Sequence, residues 1–217
     1  MPILRASRAP NLTNAPQQYV AEHLNQLYRE LRTYFNTIDN GFSALYGPLG
    51  GSYLTFSYGA FYDTTDQTAA DTTSANVITI NSTSMSEGIT IEDGQKITFA
   101  EAGVYDIQYS IQLLNESNAT QDVDVWFRQN GTDIPTSNSR FGVGPRQSEG
   151  DYTHGIASLN FYINVAAADY VELVWWTSST DVRLETYAGL TSPTRPDIPS
   201  VTITATRVSD VTSDVYG

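Results

Sequence analysis

The sequence predicts a mainly β chain, an antiparallel sandwich of jelly-roll type that carries an N-terminal extended arm and one α-helix. Three observations lead there. From Tyr53 onward apolar residues recur with period two between frequent turn residues, the mark of short strands with one buried face. No helical periodicity interrupts them, so sheet packs on sheet. Ahead of them, Val20, Leu24, Leu27, Leu31, Tyr34 and Ile38 form a heptad seam, and the run Gly-Pro-Leu-Gly-Gly at 47–51 separates it from the strand-forming region.

Taken in order, residues 1–15 are aperiodic and punctuated by Pro2 and Pro10, which predicts an extended arm. Asn14, Pro16 and Gln17 read as a helix start, and Asn40-Gly41 as its end, giving an amphipathic helix over 16–42. Its stripe is buried either in a bundle of several chains or against its own β domain; Phe35 and Phe42 widen the apolar face beyond one seam and favour the bundle. Residues 53–208 form the head, with strands expected at 53–62, 76–82, 88–92, 95–100, 103–114, 122–129, 154–165, 169–178, 182–188 and 199–208, and 209–217 is a tail.

Alternation then sorts the faces. Tyr105, Ile107, Tyr109, Ile111 and Leu113 point to the core, as do Leu159, Phe161, Ile163 and Val165, and Val171, Leu173 and Trp175. The same parity puts Trp126, Tyr162 and Trp176 on outer faces, together with Tyr170 and Val174. Hiding one large ring from water is worth up to about 4 to 6 kcal/mol by area. Rings on an outer face therefore predict a subunit interface; a bulge that turns Trp126 into its own core is the other way to hide it.

Composition limits the partners. The formal charge is −13 and Lys96 is the single lysine, so no basic face exists to neutralise phosphates, which argues against nucleic acid and anionic membrane. Arg5 and Arg8 precede every acidic residue, so the arm has a basic end able to dock on an acidic surface of a particle, or simply to fray. There is no cysteine, hence no disulfide, thiolate or zinc-thiolate site, and no apolar run reaches a transmembrane length. The first twenty residues lack a signal core, so the five Asn-x-Ser/Thr matches read as chance.

Chemistry is sparse. His23 and His154 have no partner at metal-ligand spacing, no nucleophile elbow or phosphate loop occurs, and Phe141–Arg146 reads as a plain loop. Asp63, Asp66 and Asp71 cluster in one loop, and Asp122 with Asp124 share a strand face; they read as solvated carboxylates, with calcium as the alternative. The expectation is a protein that is not an enzyme and uses no cofactor or metal.

The segments ITFAEAGVYDIQYSIQL, DVDVWFRQNGTDIP, ASLNFYINVAAADYVELVWW and SVTITATRV resemble, in order and character, the jelly-roll head of the C1q and tumour necrosis factor superfamily. The resemblance spans about residues 53–208, with Ala168 where a glycine is usual before Asp169. The phrasing is similar to such domains in tailed-bacteriophage virion proteins, whose N-terminal segment resembles NLTNAPQQYVAEHLNQLYRELRTYFNTIDN. That likeness implies a homotrimer, with heads side by side and a short helical bundle or docking segment.

The function expected on these grounds is structural: a virion surface protein, assembled in the host cytoplasm, whose arm and helix dock on major capsid or tail proteins while trimeric heads project. Head decoration or a short capsid fibre is the first form, because 217 residues leave little shaft. A tail fibre that binds a host glycan or protein through loops 63–74, 115–121 and 136–151 is the second, and a bacterial C1q-like binding module the third.

Overall fold

A computed structural model of the chain describes residues 20–46 and 56–209, together with Pro10 and Gln18. The chain divides into two compact units, Met1–Thr55 and Phe56–Gly217. The expected arm with Arg5 and Arg8, the Asn14 cap and the tail beyond Ser209 lie outside the described residues.

The first unit contains one helix, α1, Ala21–Tyr46. It begins later than Pro16, because Gln18 and Val20 are not helical; the Val20 carbonyl accepts the first bond, from Leu24 N at 3.3 Å. It also runs through Asn40-Gly41 instead of stopping there. A glycine inside a helix costs about 1 kcal/mol, which is less than a terminator needs. Its described extent runs to Tyr46.

The second unit is built from β1 (Tyr58–Asp63), β2 (Gln67–Thr68), β3 (Asn76–Val77), β4 (Ser82–Glu87), β5 (Ile89–Glu92), β6 (Lys96–Phe99), β7 (Gly103–Asn115) and β8 (Gln121–Gln129). There follow β9 (Thr132–Asp133), β10 (Ser139–Val143), β11 (Thr153–Val165), β12 (Tyr170–Thr177), β13 (Val182–Leu184), β14 (Leu190–Thr191), β15 (Thr194–Arg195) and β16 (Val201–Ser209). Across the first sheet the order is β11, β7, β16, β1, β4, with β13 and β2 beside the last residues of β7; across the second it is β10, β8, β12, β6, β5, flanked by β3 and β9. Every ladder among the described residues is antiparallel, and the chain crosses repeatedly between the two sheets, which makes a jelly-roll sandwich.

The core forms where alternation predicts it. Tyr105, Ile107, Tyr109, Ile111 and Leu113 are buried from one sheet, and Val123, Val125, Phe127, Val171, Leu173 and Trp175 from the other. Three stretches depart from expectation. Residues 76–82 pair as β3 with β12 of the second sheet, turn inward at Ile78 and Ile80, and reappear as β4 beside β1 of the first. The hydrophilic β4, Ser-Thr-Ser-Met-Ser-Glu, carries no strand signal in sequence because an edge strand exposed on both faces needs no apolar alternation. Phe141–Val143, expected in a loop, belong to β10, which pairs with β8.

Two of the left-handed residues sit where the chain crosses between the sheets. Gly88, at φ 69°, lets the chain pass from β4 in one sheet to β5 in the other, and a Cβ there would lie 2.6 Å from Ser57 Oγ. Ala168 adopts φ 68° in the turn between β11 and β12, where its N–H reaches the Phe99 carbonyl at 2.8 Å. That conformation costs a residue with a Cβ about 1 kcal/mol. Glycine's greater freedom in the unfolded chain returns about 0.5 kcal/mol of it. Ala168→Gly is therefore expected to leave stability unchanged or raise it by up to about 1 kcal/mol in urea unfolding, and a clear loss would show that the methyl group packs usefully.

Candidate functional site

Three surfaces hold the residues that the sequence singles out. On α1, Leu24, Leu27, Leu31, Tyr34 and Ile38 are all half-buried and Val20 is 40% exposed, so one chain leaves the seam incompletely covered. Tyr28, Phe35 and Phe42, spaced seven apart, add a second line of rings at 54 to 59% exposure. A helix this apolar along one side has a face that water does not satisfy.

On the second sheet, Trp126 and Trp176 do point away from the core, and β8 pairs with β12 in unbroken register, so no bulge turns Trp126 inward. Neither ring stands free. Trp126 Nε1 donates to Asp133 Oδ1 at 2.9 Å, and Trp176 Nε1 donates to the Thr72 carbonyl at 2.7 Å. Val174, opposite both Trp126 and Val77, is fully buried although it faces outward. Much of the shelter that an outer-face tryptophan requires is thus supplied by the chain itself, through the β8–β9 hairpin and the segment 72–77.

The first sheet behaves differently. Tyr162 is 60% exposed, and Ile156, in phase with it on β11, is 64% exposed. Tyr58 and Met85 lie outward on β1 and β4 at 42% and 58%. Between them run Thr202, Thr204, Gln108 and Ser110, small or uncharged side chains on the same face. Ile156 was legible from its parity with Tyr162; Met85 had no signal, because β4 itself had none.

The loops named for recognition converge on one pole of the sandwich. Loop 115–121 follows β7 and precedes β8, and 63–74 hangs beside β13; the loop expected at 136–151 is interrupted by β10, and its remainder joins β10 to β11 at the same pole. Buried Asn115 ties two of them together: its Nδ2 donates to the carbonyls of Ala119, Val143 and Gly144 at 2.8 to 3.1 Å, and its Oδ1 accepts from Ser117 N at 2.8 Å. Phe56 and Ser209, where the chain enters and leaves the described sandwich, lie at the opposite pole with the turns 129–132 and 165–170.

The carboxylates mostly serve the fold. Asp63, 1% exposed, accepts from Thr65 N and Asn81 Nδ2 at 2.8 and 3.3 Å and from Thr79 Oγ1 at 3.1 Å. Asp66 Oδ1 accepts from Thr186 N at 2.8 Å, and Asp71 is held below its usual range by donors from Thr73 and Ser74. Arg140 bridges Asp124 at 2.7 Å and Asp122 at 3.7 Å, so this pair already has its countercharge. His154 Nδ1 lies 2.6 Å from Tyr187 Oη, whose hydroxyl donates to Glu185 Oε2 at 2.9 Å; His23 is half-buried on α1. Burial, then the bond to Glu185, pushes the Tyr187 phenol well above its ordinary value. Among the described residues no three His, Asp or Glu side chains converge as metal ligands, and no helix is long and apolar enough to cross a membrane.

No family model and no curated protein matches the chain. Among solved structures it is similar to Eiger TNF from S. frugiperda, with 10% identity and a TM-score of 0.45 over 75% of this chain and 98% of that one.

At the pole of Phe56 and Ser209, Asp169 clamps the turn that Ala168 strains. Burial alone raises its carboxyl, but donors from Asn130 Nδ2, Ala166 N and Gln129 Nε2 outweigh it and hold the group below its ordinary 3.8. A depressed folded value means stability that is present above the ordinary value and lost as pH falls through the folded one. Urea unfolding from pH 7 down to about pH 2 is expected to show Asp169→Asn weaker than wild type at neutrality and closer to it in acid; parallel curves would remove this carboxylate from the acid limb.

Proposed function

We propose that the chain is a non-enzymatic structural protein of a tailed-phage virion surface, in which the N-terminal segment and α1 attach to the particle and trimeric heads project from it. The observation that carries this reading is the polarity of the head: Phe56 and Ser209, where the described sandwich begins and ends, lie at one pole and the loops gather at the other. A module tethered at one end and presenting loops at the other suits a projection. The N-terminal likeness to phage virion proteins supports the location, and Arg5 and Arg8 give that end a basic character against an otherwise acidic chain.

Assembly is proposed through two surfaces. The seam Val20, Leu24, Leu27, Leu31, Tyr34 and Ile38 packs with its copies in a bundle, and the heads meet through the outer face of the first sheet around Tyr162 and Ile156. Trp126 and Trp176 lie on the outer face of the other sheet, away from that contact, where their N–H groups are already used. Light scattering at micromolar concentration is expected to give about three times the 23.9 kDa of one chain. Ile156→Asp with Tyr162→Asp is expected to weaken head association by at least tenfold without lowering the far-UV signal, at about 1.4 kcal/mol per tenfold. A monomeric wild type would end the trimer reading.

Head decoration or a short capsid fibre is the form favoured, docking on the major capsid protein. The gathering of loops at the far pole favours one second form, a tail adsorption protein that touches a host glycan or protein. Particles carrying a label after Gly217 are expected to show density scattered over the head; density confined to the tail would select the adsorption form, and none on the particle would reject the virion assignment.

A further inference from the structure

Between the end of β1 and the segment that joins β13 to β16 lies a cleft of about 530 Å³, walled by Tyr62, Thr64, Tyr187, Pro196, Asp197 and Pro199. Beside it a shallower apolar depression shares Tyr62 and Pro199 and extends over Ala60 and Thr202. Neither is made by a single sequence motif, since the walls come from residues 62–64 and 186–199.

The walls are fixed before anything enters. Tyr187 Oη is held between His154 and Glu185, at 2.6 and 2.9 Å. Its backbone exchanges two hydrogen bonds with Ile198, at 3.0 and 2.7 Å. Thr186 is tied to Asp66 through both its N–H and its hydroxyl. A cleft whose lining is already ordered spends little of its binding energy on ordering side chains.

Its polar groups are only partly used. Asp197 Oδ1 accepts from Gly189 N, which leaves Oδ2 without a partner among the described residues. The Tyr62 hydroxyl makes no hydrogen bond to any of them either. Thr64 Oγ1 accepts from Asn81 Nδ2 at 3.0 Å and keeps its own proton to give. Tyrosine and proline walls offer apolar contact, while one carboxylate oxygen and two hydroxyls offer acceptors and donors. Among the described residues no cation lines the cleft, and the chain carries −13, so an anion is disfavoured.

We propose that this cleft binds a neutral sugar, with the apolar face of the pyranose against Tyr62, Tyr187 and the prolines and neighbouring hydroxyls on Asp197 Oδ2, Tyr62 and Thr64. The site is built from one chain and does not rest on the assembly or the virion location proposed above. It supplies a binding chemistry of its own, whichever particle or cell displays the head.

The test is saturation-transfer NMR on the full chain with four probes at millimolar concentration: methyl glucoside, methyl galactoside, methyl mannoside and N-acetylglucosamine. At least one is expected to bind, and N-acetylneuraminic acid, an anion, is not. Tyr62→Ala and Asp197→Ala are each expected to weaken the binding about tenfold or more while the melting temperature stays within error. Should Asp197→Ala unfold the linking segment, Tyr62→Phe, which removes only the unpartnered hydroxyl, is expected to weaken binding measurably. Silence from all four probes, or binding that survives at both positions, would overturn the proposal.

Discussion

Strand β7 is the rail on which the head depends. All thirteen of its residues pair with β11 on one side, and its other side is shared by β16 and then β13. Because side chains alternate across it, this double pairing fixes which residues of three neighbours can face the core. Tyr105, Ile107, Tyr109, Ile111 and Leu113 fill the space between the sheets, and a slip of one residue would put Asp106, Gln108 and Gln112 there instead. The penalty for burying those groups unpaired is what holds the register. At its far end Asn115 continues the rail into the loops, turning the ladder's last residue into the knot that gathers the distal pole.

From that register follows the contrast between the two outer faces. The second sheet carries the tryptophans and is roofed in part by its own chain, so Val174 is buried on a side that alternation assigns to water. The first sheet carries Tyr162, Ile156, Tyr58 and Met85 with no such roof among the described residues. Large apolar side chains at 42 to 64% exposure around a polar, weakly charged centre have the composition of a surface that meets a partner. The helix repeats the theme with a seam only half-covered in one chain.

The polarity of the sandwich gives these surfaces an order. Chain entry and exit share one pole, where Ala168 and Asp169 form the strained turn and its clamp. Loops, the Asn115 knot and the cleft of Tyr62 and Asp197 share the other. The two poles are separated by the length of β7, and a change in the distal loops leaves the rail intact.

The sequence by itself determined the β character of the head, the parity of β7, β8, β11 and β12, and the stripe on α1, because period two and period 3.5 report directly which side of an element must leave water. It also placed Trp126, Tyr162 and Trp176 on outer faces correctly. It misjudged the end of α1 at Gly41, missed β4 and read Phe141–Val143 as loop, since an internal glycine is cheap and edge strands owe their form to a neighbour's hydrogen bonds and not to their own side chains. Only the tertiary structure decided that two of the three rings find partners at home, 7 and 104 residues away, and that Tyr62 meets Tyr187 and Asp197 in one cleft. Such contacts depend on how loops fold back over a sheet, and a loop's path is set by the whole packing and leaves no periodic trace.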